Sequence, residues 1–345
     1  MAISGQVYAP SQFRLAIAEE TTFGTPNTTQ SAFYELDILS PTQPDMASGV
    51  VEDVRKRADG KRVMSHTDTY RASTGGLYVI PFECIVTNVT ADLLIYGVMQ
   101  DIVSEEVGTP FQKIFEFDPN TTGPDFSANA GKFFTVLGAD PAEPWRATSC
   151  VLRNVTFSSN PGTNGGRLTA SGEFVTGFDI VIAAVTATPA SWVSPGVGYF
   201  PFQVYTACTV GGAAMVPYSY SVTFNNGAVR VGHAAGVAQT YHMPLFECNA
   251  ELTAKLDANT VDLIDGYRLN PAAGSAETTV IMSWGGTGVT GFLSFVMNAI
   301  YTAPNSRDFG AESGVGVTLA FQAVDDGSNE AIEVFMASGV DRAWT

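Results

Sequence analysis

The chain has 345 residues, with 17 basic and 34 acidic side chains and a formal net charge of −17. Hydrophobic residues make up 45% and charged residues only 15%, against roughly 25% charged in an ordinary soluble domain. This excludes a disordered chain, argues against a basic nucleic-acid binder, and with four cysteines rules out a disulfide-stapled miniprotein. The length allows about two domains. So few charges covering that much surface predicts that much of the exterior is covered by other protein copies.

The first residues, MAISGQVYAPSQFRLAIAEE, lack a basic segment followed by an apolar run, so no signal peptide is expected. Nor does any stretch reach the roughly 18 unbroken apolar residues of a membrane helix. Phe13, Leu15 and Ile17 alternate with Arg14, Ala16 and Ala18, which predicts a first strand. Arg55-Lys-Arg-Ala-Asp-Gly-Lys-Arg62 gathers five of the 17 bases in eight residues. It reads either as a solvated hairpin or as a loop complementary to acid on a neighbouring copy, where opposite charges steer and register association. Arg55, Lys56, Arg57, Lys61 and Arg62 are therefore candidate contact residues. Thr90–Met99 reads as a helix with a Thr cap and Asp92 in its first turn. Val151–Phe157 and Leu168–Phe174 read as paired strands.

Residues 180–229 hold no charge and are broken by proline and glycine, notably between Pro189 and Pro201. The boundary is placed there, giving units 1–189 and 190–345. Beyond it, Tyr218–Phe224 and Gly316–Ala323 alternate as strands, Asn259–Tyr267 reads as a second helix, and Gly285–Gly288 reads as a hairpin turn. Asn-Gly, Asp-Gly and Pro-Gly turn dipeptides punctuate the strands, as in antiparallel sheet. The two halves echo each other. Phe82-Glu83-Cys84 precedes the first helix as Phe246-Glu247-Cys248 precedes the second. Upstream, His66 follows Asp59-Gly60 as His233 follows Asn226-Gly227. His66, Phe82, Cys84, His233, Phe246 and Cys248 are thus expected at equivalent structural positions of a duplicated unit. The fold expected is mainly all-β: two similar β-sandwich or partial-barrel units, each with one short helix.

Chemistry is hard to find. The three histidines, at 66, 233 and 242, have no G-x-S-x-G partner motif, and no H-x-x-x-H, C-x-x-C or D-x-D-x-D-G ligand pattern occurs. No catalytic residue, metal or cofactor is expected, and the chain is read as not an enzyme. The adjacent acids Glu19-Glu20, Glu105-Glu106 and Asp325-Asp326 read as solvated strand ends or loops; the carbohydrate-active alternative needs two carboxylates converging in an aromatic-lined cleft.

Glu19-Glu-Thr-Thr-Phe-Gly-Thr-Pro26, directly after the first strand, resembles the opening signature of the major tail tube proteins of siphophages, whose tails are long and non-contractile. Tyr220–Gly227, Ala250–Leu256 and the Asp262 helix resemble that family's strand, turn, strand and helix order. Val151–Phe157 and Gly166–Phe174 close the first half in the same style. The duplication points to the two-domain branch of the family. The resemblance implies two tube domains, and a homo-oligomeric virion protein made in the host cytoplasm. Rings of three chains, pseudo-hexameric, would stack into a hollow acidic conduit for double-stranded DNA ejection. A hexamer with the second domain outside is the other arrangement. The basic loop would lie between rings. Implied partners are the chain itself, the tail terminator, tape measure and distal tail proteins, and DNA in transit without specific binding; insertion into a membrane is not implied. The alternative is another phage structural, decoration or adhesin-like β-sandwich protein.

Overall fold

A computed structural model of the chain describes residues 9–45, 50–54, 69–73, 77–100, 104–106, 111–117, 132–182, 184–201, 205–234, 237–242, 246–269, 277–285, 291–302, 306–308, 316–325 and 331–338. The fold is all-β and antiparallel, with two α-helices among the described residues. In chain order the first half contains β1 (Arg14–Glu20), β2 (Tyr34–Ile38), β3 (Val50–Val54), β4 (Thr69–Ser73) and β5 (Tyr78–Ile85). Helix α1 (Ala91–Met99) follows, then β6 (Ser104–Glu106), β7 (Phe111–Phe117), β8 (Phe133–Ala139), β9 (Trp145–Ser159), β10 (Thr169–Thr176) and β11 (Val181–Ile182). The second half contains β12 (Tyr205–Val210), β13 (Ala213–Ala214), β14 (Pro217–Asn225), β15 (Val229–Ala234), β16 (Val237–His242) and β17 (Glu247–Lys255). Helix α2 (Ala258–Leu269) follows, then β18 (Thr278–Trp284), β19 (Leu293–Tyr301), β20 (Ser306–Asp308), β21 (Gly316–Ala323) and β22 (Ile332–Ser338).

Strand pairing closes on itself in each half. The first ring runs β1–β2–β5–β10–β9–β8 and back to β1. The second runs β12–β13, continues through Met215 and Val216 into β14, then β17–β21–β19–β18 and back to β12. Closure hides strand edges that would otherwise recruit other chains. Each ring carries a two-stranded ribbon, β3–β4 or β15–β16, at the same place in its order.

The rings also agree residue by residue. Ile17 lies opposite Val136 as Val210 lies opposite Val280. Ile85 lies opposite Thr169 as Lys255 lies opposite Gly316, and Leu152 opposite Phe174 as Tyr301 opposite Phe321. The helices begin alike. The Thr90 hydroxyl accepts from the Thr87 amide at 3.2 Å, and the Thr260 hydroxyl from the Asp257 amide at 2.7 Å. The unit is duplicated in register.

That register corrects the tripeptide echo. Counted from these pairs, Cys84 corresponds to Ala254, and Cys248 corresponds to Tyr78. Phe82-Glu83-Cys84 and Phe246-Glu247-Cys248 are therefore displaced along equivalent strands. His233 stands within β15, opposite Ala238, whereas His66 follows β3 in the chain and lies outside the described residues.

The stretch beyond 189 stays with the first ring. Trp192 packs on Phe33 at 6.3 Å, Val193 bridges to Tyr34, and the Asn88 and Leu168 amides donate to Gly198 and Phe200 carbonyls at 2.9 Å. The change-over comes after Pro201 rather than at 189. The halves also share one core, since a single cluster of buried side chains includes Leu15, Phe134 and Phe174 together with Phe224, Trp284 and Phe321. Helix α1 is wholly buried, and apart from Asp92 in its first turn its residues are apolar or aromatic, as a helix covered on every side requires. It touches β9, β7 and β22.

Candidate functional site

The feature most capable of function is the junction between the rings. The far end of β9 carries β10 on one edge and β14 on the other, with Asn154–Ser159 opposite Asn225–Tyr220. β-branched and aromatic residues hold it. The Thr156 and Thr223 hydroxyls lie 2.9 Å apart, and Phe157 meets Phe224 edge-on at 6.0 Å and Phe295 at 5.4 Å. Asn226 turns the chain out of β14 while almost fully buried. Its amide nitrogen donates to the Leu152 carbonyl at 2.8 Å and its backbone to the Arg153 carbonyl at 3.0 Å. In the sequence, Asn225-Asn226-Gly227 signals only a turn; the buried contacts of Asn226 have no local signature. Beside it, Arg153 donates through Nε and Nη2 to a single carboxylate oxygen of Glu173, at 2.8 and 2.6 Å, and the Asn154 side-chain amide donates to that same oxygen.

A second tie crosses between halves. The connection from α1 to β8 carries β6 and β7, and β7 pairs along the whole of β22. Lys113 in β7 and Asp92 in α1 form an ion pair at 3.3 Å, both fully buried. A lysine in a strand reads as solvent-facing, so the sequence hides this pair.

Among the described residues no group of His, Cys, Asp and Glu could hold a metal ion, and no helix is long and apolar enough to cross a membrane. Arg55, Lys56, Arg57, Lys61, Arg62 and His66 lie outside the described residues. All four cysteines are unpaired and buried. Burial pushes their thiols up, Cys84 and Cys208 to about 12, and the thiolate form that reacts is suppressed. The adjacent acids Glu19 and Glu20 point to opposite faces of β1. Glu20 is buried on the face it shares with Ala16 and Ala18, where its carboxylate accepts from the Ser149 amide at 2.9 Å, the Ser149 hydroxyl at 2.6 Å and the Thr135 hydroxyl at 2.6 Å.

Burial raises the Glu20 carboxyl, against the opposing pull of those hydrogen bonds and of Arg146. The folded state thus binds this proton more tightly than the unfolded chain. Its stabilising contribution is complete below the ordinary value near 4.5 and is lost as pH rises through the elevated one. In Glu20→Gln this part of the pH dependence is expected to vanish. Urea midpoints measured upward from about pH 4.5 should fall less steeply than in the parent; parallel curves would refute the assignment.

Two grooves among the described residues open on the first ring. One, of about 500 Å³, runs along residues 35–41 and is walled by Ser11, Phe13, Arg14 and Pro195; the other, of about 260 Å³, lies between Asn27–Gln30 and Ala184–Thr186. In the first, Arg14 pairs with Glu35 through both guanidinium arms. A scan against models of protein families and a search of curated proteins matched nothing.

Proposed function

We propose that the protein is a structural subunit of a phage tail tube, three chains to a ring, with rings stacking into an acidic conduit for double-stranded DNA. The observation that carries this reading is the duplication in register with the two rings joined strand to strand through β9 and β14. One chain thereby holds two copies of a building block and one copy of the contact between them. A head-to-tail contact, repeated, generates a closed ring when the rotation returns on itself, and an open filament when it does not. The low charge density fits an exterior covered by sister chains. The net charge of −17 fits a bore that repels phosphate and offers DNA no counterion release. The tail terminator, tape measure and distal tail proteins are the partners this reading supplies.

Purified protein viewed by negative-stain microscopy is expected to show rings of threefold symmetry or hollow filaments. A protein that light scattering finds monomeric at high concentration would overturn the proposal. The basic loop supplies a second test. Changing Arg55, Lys56 and Arg57 together to Glu is expected to shorten or abolish filaments while circular dichroism stays unchanged. Filaments of normal length would return the loop to solvent.

A further inference from the structure

The duplication shows where the internal junction would recur. β9 has a counterpart in β19 extended by β20. Thr156 lies opposite Ser171 in β10, and Ser306 lies opposite Thr318 in β21. In β9 the opposite edge of this stretch is taken by β14. Among the described residues no strand lies on the opposite edge of β20. The other half of the junction also has a counterpart. Asp37 lies opposite Ile85, and Val216 accepts from the Lys255 amide, so the chain leaving β2 corresponds to β14. It follows β5 as β14 follows β17: the Leu39 amide donates to Glu83 at 2.8 Å and the Asp45 amide to Val79 at 2.7 Å. Asp45 lies opposite Val79 as Thr223 lies opposite Asn249. Leu39, Ser40, Pro41 and Gln43 are exposed on this strip, Leu39 being one of few large apolar side chains that are. The groove of about 500 Å³ opens beside its first residues.

From these placements we infer that the outer edge of β20 in one copy lies against the strip 39–45 of the next, repeating between chains the junction that β9 and β14 make within one. The inference rests on the ring reading above and names its surfaces. The occupant is a second copy because the two edges are the two unlike halves of a contact this chain already builds. Pairing of unlike halves is head-to-tail, so each chain offers one edge and receives the other. Pro41 and Pro44 limit the strip's capacity to pair with arbitrary strands, a common protection of edges. The contact between copies is also the weaker one. Within the chain, β7 adds a second tie through β22. The corresponding connection from α2 to β18 spans only residues 270–277, against 100–132 in the first half. Rings should therefore part into whole chains before the two halves of a chain separate.

The register makes the test specific. Thr156 opposite Thr223 within the chain translates to Ser306 opposite Asp45 between chains. In the full chain carrying both Ser306→Cys and Asp45→Cys, mild oxidation should yield a ladder of covalent multimers on a non-reducing gel. Each single variant should run as monomer, since its cysteine meets no partner and the four buried native thiols stay silent. The pair Asp308→Cys with Gln43→Cys, equivalent to Ser158 opposite Ser221, gives the same readout should the first variant fold poorly. Rings visible in the microscope without a ladder from either pair would overturn this edge assignment and leave the ring reading standing. Ladders from the single variants would overturn it equally. Absence of any self-association by light scattering in the unmodified protein would sink both.

Discussion

Replacing Lys113 by Met is expected to destabilise the protein by about 3–5 kcal/mol, because it removes the ammonium that faces the buried Asp92 carboxylate. Both side chains have zero exposure and sit 3.3 Å apart. Asp92 stands in the first turn of α1 and accepts from the Leu93 amide at 2.8 Å, so its charge belongs at the positive end of the helix. The lysine reaches it from β7, the strand that pairs with β22 of the second half. The pair thus locks an arm of the first half in place before it grips the second. The double variant Lys113→Met with Asp92→Leu should recover much of the loss, since two apolar groups suit a buried site better than half of an ion pair. Urea unfolding of the two variants decides the matter. Equal loss in single and double would mean that packing volume, rather than the broken ion pair, sets the cost.

Much of this fold was legible in the sequence. The alternation of Phe13, Leu15 and Ile17 marks β1, and Leu15 and Ile17 are buried. The predicted helices at 90–99 and 259–267 agree with α1 and α2 to within a residue or two at most ends, as expected where terminal turns fray. What failed was register. Cys84 and Cys248 both face the core, yet they occupy non-equivalent rungs. A shift by an even number of residues leaves every side chain on its face, so alternation cannot detect it. Only the partner strand fixes the rung, and that partner lies far away in the chain. β8 was obscure for a related reason. All seven of its residues are buried, because Phe134 and Val136 face the ring interior while Leu137 and Ala139 meet Phe33 and Trp192 on the outside. Burial on both faces erases the period that pattern-reading needs. The junction was invisible for the same cause: Thr156 and Thr223 are ordinary strand residues until two distant strands bring them together.

Phe157→Ala is the sharpest probe of that junction. The ring is fully buried, comes from the first half, and packs on Phe224 and Phe295 of the second. Truncation removes a large buried apolar group and leaves a cavity that neighbouring strands, fixed by backbone pairing on both edges of β9, can close only in part. The expected loss is about 3–5 kcal/mol. Because the cavity opens in a core common to both halves, the parent should unfold in one cooperative transition by calorimetry, and the variant should unfold earlier with the two halves no longer in step. Phe157→Leu, which keeps most of the volume, should stay closer to the parent. If Phe157→Ala instead cost under about 1 kcal/mol and left a single unshifted transition, the aromatic cluster would be contact without coupling. The two rings would then be held by backbone pairing alone.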